Sequence, residues 1–312
     1  MGDGSIVLIT DHSSTEGSAD VLAAAVRRLT GRTPVHVDAR HFLPGNDGKV
    51  GGENGELRLS AAGEEVTPDA VIVYEIPPHG RRAFEPFQRE LWRHGIRSHA
   101  TEAWRWATEK DLMVRRFVRD GVPHMPTRCG PWRDAAHLCG DFEELGGDVW
   151  LRPAVGAGGD DVFRVTAVED LVQVAGARGT WLMSKDAANV NADGLRHQFR
   201  VVVLGGEVVR VCEHVQKDEF ATCNEVRGAV STVLDPGELP EHLAELAVRA
   251  ARSVGLSFAG VDLAAEHGGV VFEVNVHPAF GADRGLETMA IPYVREQITP
   301  RSGRRRRGSC RP

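Results

Sequence analysis

Apolar positions recur with two different periods along this chain, and the changes of period divide it into units. SIVLIT (5–10) is a short apolar run, followed by the polar loop DHSSTEGS. In ADVLAAAVRRL, Leu22, Val26 and Leu29 then return at the spacing of one helical face. PVHVDA (34–39) and DAVIVYEIPP (69–78) read as further strands, the second closed by two prolines, and Phe84, Phe87 and Leu91 mark a helix leading to Gly95. ELRLS and the segment around Glu65-Val66 suggest a hairpin, while residues 44–55, PGNDGKVGGENG, carry turn chemistry throughout and predict a mobile loop. Strands alternating with helices predict a parallel sheet. Ligands of such sheets sit beyond the carboxyl ends of the strands, here Asp11 to Thr15 and Glu75 to His79.

The pattern then changes. TEAWRWATEKDLMVRRFVRDG predicts one helix, with Val114, Phe117 and Val118 on its apolar stripe and Gly121 as its stop. GVPHMPTRC is extended, and DVWLRPAVGAGGDDVFRV (148–165) reads as two strands joined by the glycine-rich stretch Gly156 to Gly159. A third unit begins near Asp186 with FRVVVLGGEVVRVC, a hairpin through Gly205-Gly206, followed by the helix PEHLAELAVRAARSVG. These units give expected boundaries at 1–98, 99–185 and 186–298, with a basic tail at 299–312.

The most telling segment is LSFAGVDLAAEHGGVVFEVNVHPAF (256–280), two apolar strands around a glycine turn. A turn at His267-Gly268 places Asp262 opposite Glu273, and a turn at Gly268-Gly269 places it opposite Asn275. In either register the period of two puts Asp262, Glu273 and Asn275 on one sheet face. Three oxygen donors on a rigid face, two of them carboxylates, suit Mg²⁺, which completes its octahedron with phosphates and water. The alternative is a strand with a solvated polar face. The apolar neighbours Val261, Leu263, Val271, Phe272, Val274 and Val276 make the strands look buried, where acids need partners.

Composition narrows the class. The chain has 312 residues, 42% hydrophobic and 26% charged, in the range of a soluble protein of two or three packed units. Its net charge of −7 supplies no global basic field for nucleic acid. The basic run RSGRRRRGSCRP (301–312) has nothing to bury and reads as a disordered tail. No apolar stretch is long enough to span a membrane and the first residues lack a signal peptide's pattern, so a cytoplasmic location is expected. Cys129, Cys139, Cys212, Cys223 and Cys310 are odd in number and never spaced as CxxC, which fits reduced thiols. Cys212-Glu213-His214 could be drawn as half a metal site, but an alternating strand end is the plainer account. Only four of the 37 basic residues are lysines, Lys49, Lys110, Lys185 and Lys217, which suggests places where a compact rotatable ammonium is wanted.

The glycine stretch at 156–159 differs from the usual phosphate loops. Those join a strand to a helix whose N-terminus holds the phosphate. Here DVFRV follows, which is strand-like, so the loop caps a hairpin and its N–H groups can lie over an anion as a flap. Arg152 on the preceding strand adds a cation to the same region.

Taken in order, Lys110, GVPHMPT, LRPAVGAGGDDVFRV, QFRVVVLGGEVV, FAGVDL and FEVNVHPAF resemble the ATP-grasp superfamily over roughly residues 99–295. The nearest branch is that of the RimK-type glutamate ligases and bacterial glutathione synthetase. The resemblance implies an ATP-grasp fold, mixed α/β and α+β, with an α/β domain ahead of two α+β subdomains that clasp ATP. It further implies ATP and one or two Mg²⁺ as cofactors. The implied activity is a carboxylate–amine ligase acting through an acyl phosphate on small-molecule substrates, in bacterial biosynthesis, with no nucleic-acid or membrane partner and room for a homo-oligomer.

Carried over by position, the resemblance gives Lys110, Arg152, Gly156, Gly158 and Gly159 to the nucleotide phosphates, and Met183, Ser184, Lys185 and Asp186 to the adenine hinge. Arg200, Lys217, Asn224 and Arg227 fall to the reacting groups, and Asp262, Glu273 and Asn275 to the metal. The chain departs from the pattern at Arg152, where a second lysine is usual, and at Gln198, where the branch has an acid. Lys185-Asp186 stands where a ribose-binding glutamate is expected, with Asp186 as its substitute. Two other readings stay open, an ATP-grasp kinase and a nucleotide-binding regulator without turnover. Candidate substrate contacts in the first unit are His12, Ser13, Ser14, Glu75 and His79, which serve equally well as loop caps.

Overall fold

The computed structural model describes residues 5–14, 16–52, 57–96, 101–132, 134–173, 179–281 and 284–299. The first unit contains β1 (Ser5–Thr10), α1 (Ser18–Thr30), β2 (Val35–Asp38), β3 (Lys49–Gly51), β4 (Arg58–Ala61), β5 (Glu64–Val66), β6 (Pro68–Val73) and α2 (Pro78–Arg93). β1 lies between β2 and β6 and pairs with both in parallel, as the alternation of strands and helices predicts. α1 buries Leu22, Ala25 and Val26 and ends at Gly31, whose left-handed backbone (φ 72°) returns its N–H to the Arg27 carbonyl. The expected loop at 44–55 is partly ordered sheet: Lys49–Gly51 pairs with Arg58–Ser60, so the β4–β5 hairpin gains a third strand. Residues 53–56 lie outside the described residues.

The single helix expected from 101 to 121 is two, α3 (Thr101–Thr108) and α4 (Lys110–Asp120). Glu109 between them is extended (φ −90°, ψ 101°). At the break the Lys110 N–H points to the Ala154 carbonyl at 2.9 Å, so a tertiary hydrogen bond replaces the helical one and splits the element. The apolar stripe of α4 is also shifted. Met113 and Phe117 are buried, whereas Val118 is 67% exposed.

The central unit adds β7 (Thr127–Cys129), α5 (Ala135–Glu144), β8 (Val149–Pro153), β9 (Phe163–Val165) and β10 (Trp181–Lys185). Its antiparallel sheet runs β7-β10-β8-β9. The last unit contains β11 (Arg196–Leu204), β12 (Glu207–Gln216), β13 (Val230–Leu234), α6 (Glu241–Ser253), β14 (Phe258–Ala264), β15 (Val270–Asn275) and α7 (Ile291–Ile298), with sheet order β13-β12-β11-β14-β15. The β11–β12 hairpin turns at Gly205-Gly206, both at positive φ as a two-residue hairpin turn requires. Glu213 and His214 project to opposite sides of β12, Glu213 toward His197 and His214 toward Ser231, so the strand reading of Cys212-Glu213-His214 holds. α7 crosses back to pack on α1 and β6.

The division of the core matters more than the division of the chain. The first and last units, with α3 and α4, share two apolar clusters, one that includes Phe84, Trp104, Phe117, Leu243, Val261 and Val274 and one that includes Leu8, Leu22, Ile72, Val202, Phe258 and Phe280. The central sheet has its own, built on Leu138, Phe142, Val149, Leu151, Val165 and Met183. A unit with a separate core can move as a body over its neighbour. Among the described residues no helix is long and apolar enough to cross a membrane. Cys129, Cys139, Cys212 and Cys223 are free thiols, and Cys310 with the basic run at 301–312 lies outside the described residues.

Leu151→Ala tests this separation, because it opens a cavity in the central core alone. It is expected to destabilise that unit by about 2–5 kcal/mol. Hydrogen exchange should rise across 127–185 and stay near wild type in α6 and β14. Equal loss of protection in both cores would show one cooperative unit instead.

Candidate active site

The site is built on a row of side chains across three adjacent strands. Arg200 of β11 pairs with Asp262 of β14, which pairs with Glu273 of β15. The facing of Asp262 and Glu273 matches one of the two registers the sequence allows, but a tight turn does not produce it. Ala264 pairs with Val270 across a five-residue loop, and a one-residue slip between Asp262 and Leu263 restores the alignment. Asn275 is opposite Gly260, on the same face as Glu273, and its Nδ2 donates to Asp262 Oδ2 at 3.2 Å.

Three cations converge on the two carboxylates. Arg200 holds Asp262 in a bidentate pair, Nε and Nη2 each at 2.7 Å. Lys110 Nζ lies 3.5 Å from Glu273 and donates to the Gly156 carbonyl at 3.1 Å. Arg152 Nη1 lies 3.6 Å from the other Glu273 oxygen, and its Nη2 donates to the Phe272 carbonyl at 3.0 Å. Arg152 Nε is buried with no acceptor among the described residues. Burial lowers the pKa of Lys110 and Arg152, and Glu273 partly restores both. Arg200 moves the other way, because the charge of Asp262 outweighs its burial. Lys110, Arg152 and Arg200 outnumber Asp262 and Glu273 by one within this cluster, while Glu16, Asp160 and Glu225 also line the cleft.

Asp262, Glu273 and Asn275 offer hard oxygen donors from one rigid face. Among the described residues no group of three or more His, Cys, Asp or Glu is placed to hold a metal. Two carboxylates and an amide are instead a set that suits Mg²⁺ once phosphates and water supply the remaining positions.

The glycine stretch lies over this row. Gly158 and Gly159 have left-handed backbones (φ 65° and 74°), and a Cβ on Gly159 would come 2.6 Å from Thr222 Oγ1. Arg227 Nε donates to the Gly158 carbonyl at 3.3 Å and its Nη2 pairs with Asp160. The tip of the central hairpin is therefore tied to the last unit. Asn224 faces the same cleft while its side chain accepts from Val226 N at 2.9 Å. The cleft has a volume of about 350 Å³. It adjoins a more apolar cavity of about 140 Å³ whose walls include Val114, Met125, Trp150, Ser184 and Phe272.

Several sequence-derived candidates sit elsewhere or do something different. Lys217 is exposed after β12 and lines neither cavity. Met183 is fully buried in the core of the central unit, so only its backbone can face a ligand, whereas Ser184 and Lys185 line the apolar cavity. The Asp186 carboxylate is already engaged by Trp150 Nε1 (2.7 Å), Arg196 Nη1 (2.8 Å) and Ala188 N (2.8 Å). Burial would raise its pKa, but the bonds from Arg196 and Trp150 prevail and hold it below the ordinary value. Asp186 is thus a structural anchor for the hinge. Gln198 donates to the Cys223 carbonyl at 3.0 Å and faces both cavities.

In the first unit, Ser14 donates to Glu75, and Glu75 accepts from Ala19 N at the start of α1. Ser13 donates to Asp11, and His12 lies 4.0 Å from Asp38. These groups cap loops. Glu16, one residue beyond the Asp11–Thr15 window, does reach the cleft. Its pKa is raised by burial and then by Glu75.

Solved structures share this architecture. The chain resembles D-alanyl-alanine synthetase A from Vibrio cholerae (TM-score 0.69, 16% identity, 96% of this chain and 98% of that one). It also resembles the D-cycloserine synthetase DcsG (TM-score 0.66, 17% identity, 95% and 100%). A third is the ATP-grasp ligase PsnB in complex with a phosphomimetic variant of its minimal precursor, Mg and ADP (TM-score 0.63, 18% identity, 95% and 98%). The RimK-like ATP-grasp domain matches residues 133–289, half of the chain, and the chain belongs to that family. Over 108 residues it is 41% identical to a protein of Enterobacter sp. (strain 638) named "Probable alpha-L-glutamate ligase", matching 33% of this chain and 35% of that protein. Over 81 residues it is 38% identical to the ribosomal protein bS6–L-glutamate ligase of Shigella flexneri serotype 5b, 26% of each chain. The chain thus spans about a third or less of the length of these relatives.

Two outcomes are expected from this geometry. Arg227→Ala should speed amide exchange at 157–161 by releasing the flap, and unchanged exchange would show that the Arg227 contacts do not hold it. Asp186 has a depressed folded pKa, so its contribution to stability is present above the ordinary value of about 3.9 and lost as pH falls through the folded pKa. Asp186→Asn should therefore lower Tm at pH 7 more than at pH 3. A Tm deficit independent of pH would remove the charge from that account.

Proposed function

We propose that the chain is an ATP-dependent carboxylate–amine ligase that forms an amide through an acyl phosphate. The observation carrying this reading is the Arg200–Asp262–Glu273 row, with Lys110 and Arg152 closing on it from the central unit. An anionic carboxylate must approach an anionic phosphoryl group, so positioning and charge neutralisation are the main requirements. No side-chain nucleophile is needed.

In this reading Lys110, Arg152 and the backbone of Gly156 to Gly159 hold the triphosphate, with the base in the apolar cavity. Asp262, Glu273 and Asn275 would hold Mg²⁺, which supplies charge neutralisation at the phosphates when bound. A substrate carboxylate oxygen bonds to the γ-phosphorus as the bond to the ADP oxygen breaks. The amine then bonds to the acyl carbon, phosphate leaves, and the nitrogen gives up its proton. Arg200 stabilises the oxyanion of that second step, and Asn224 lies beside it. Lys217 is left without a role. The names of the relatives make L-glutamate the first amine to test, in a bacterial biosynthetic setting.

ADP release that requires both a carboxylate and an amine is the test, with hydroxylamine as a trap that converts an acyl phosphate to a hydroxamate. ADP formation with a phosphorylated hydroxyl product and no amine dependence would replace the ligase reading by a kinase. Glu273→Gln should abolish turnover without unfolding the protein, and a wild-type rate in saturating Mg²⁺ would remove Glu273 from the metal site. Arg200→Ala should lower kcat by about 10²–10³ with ATP affinity comparatively intact. Unchanged kcat in folded Arg200→Ala protein would exclude Arg200 from the reaction.

A further inference from the structure

A second cavity of about 450 Å³ lies between the start of α2, the α3–α4 break and the backbone of Pro153 to Val155. It shares only Pro153 with the cleft described above. Its volume is in the range of small-molecule sites. Its charges are unevenly matched. Each acid on its walls already has an arginine: Glu85 accepts from Arg105 Nε at 2.8 Å, Glu109 lies 3.7 Å from Arg82, and Asp111 lies 3.9 Å from Arg115.

Arg81 is the cation left over. Its Nε donates to the Ile76 carbonyl at 2.8 Å and its Nη1 to Thr108 Oγ1 at 3.1 Å. Among the described residues no carboxylate reaches ion-pair distance of it. Two of its five N–H bonds are used, which leaves three for a ligand. Burial lowers its pKa to about 10, with the fields of Glu16 and Glu273 opposing, so it stays charged at neutral pH. Trp104 lines the same cavity, and its buried indole N–H has no acceptor among the described residues. A guanidinium without a counter-ion at a cavity wall favours a ligand that supplies oxygen acceptors.

We infer that this cavity binds a small carboxylate-bearing anion, with Arg81 as the receiving cation and Trp104 as part of the wall. The fit is to a carboxylate because the guanidinium fork matches its two oxygens, and neutral ligands would leave the charge uncompensated. The inference stands apart from the ligase reading, since it concerns a different cavity and needs no turnover.

The test is calorimetric titration of the full chain, without nucleotide, with L-glutamate and with succinate. Binding of at least one is expected, weakened about tenfold or more by Arg81→Gln and little changed by Glu273→Gln. Arg81→Lys, which keeps the charge, should retain part of the affinity and guards against a folding defect in the glutamine variant. Initial rates then separate two sources of the carboxylate. A substrate would show a raised KM in Arg81→Gln with the KM for ATP unmoved, whereas an effector would alter the rate without being consumed. Either result supports the site. Absence of binding by both compounds, equal affinity in folded Arg81→Gln, or equal loss in Glu273→Gln would overturn it. Failure of the ligase reading would show separately, as ADP release that no carboxylate and amine together stimulate.

Discussion

Everything in the cleft depends on the bidentate pair between Arg200 and Asp262. Two charges held at 2.7 Å on neighbouring strands neutralise each other where water is scarce. Glu273 is neutralised more loosely by Lys110 and Arg152, at 3.5 and 3.6 Å. The difference in distance is a difference in purpose. Short bidentate contacts fix the row on its sheet, while the longer ones join two units with separate cores and can be exchanged. In the proposed reading a magnesium nucleotide brings both signs of charge, so Glu273, Lys110 and Arg152 can trade a protein partner for a ligand partner. The site is thus assembled before the ligand arrives, and binding rearranges charges that are already partly buried.

That exchange makes physical sense of the separate core in the central unit. Lys110 stands at the start of α4, whose buried side belongs with the first and last units, yet its N–H and its ammonium both bond to the segment 154–156 of the central hairpin. Arg227 reaches the same hairpin from the last unit. The central sheet keeps its own apolar core, and polar contacts of this kind join it to the rest around the cleft together with a small apolar cluster of Met125, Ala187, Ala264 and Val270. Polar contacts can be remade with a ligand between them, whereas a shared apolar core could not be opened cheaply.

Strand periodicity made the polar row legible, because alternation leaves Asp262, Glu273 and Asn275 on one face in either register. It could not foresee the slip between Asp262 and Leu263, which shifts the register by one residue. The helix break at Glu109 was hidden for a similar reason. Local pattern favours one continuous helix over 101–121, and the Ala154 carbonyl that captures the Lys110 N–H is distant in sequence. Asp186 shows the limit for side chains. Position placed it at the hinge, but its partners Trp150 and Arg196 come from other strands and leave it engaged. Glu16 was nearly found, since the rule for parallel sheets pointed to the loop after β1 and stopped one residue short. Arg81 had no sequence signal, because a missing counter-ion is visible only in three dimensions.

The scarcity of lysine gains a physical meaning at the row itself. Only four of the 37 basic residues are lysines, and one of them, Lys110, is buried between Gly156 and Glu273. An ammonium donates in any rotational state, so it can hold a carbonyl and a carboxylate and then turn toward a phosphate without moving its stem. Arg152, where the family pattern has lysine, behaves differently. Its planar fork is fixed by the Phe272 carbonyl on one side and Glu273 on the other, with Nε still unused. A guanidinium held in that way is fixed in orientation, at a position where it lines both the apolar cavity and the cleft. The substitution therefore exchanges an adaptable charge for a directed one. In the proposed ligase reading the two cations divide the work, with Lys110 following the moving charge and Arg152 marking where the triphosphate begins.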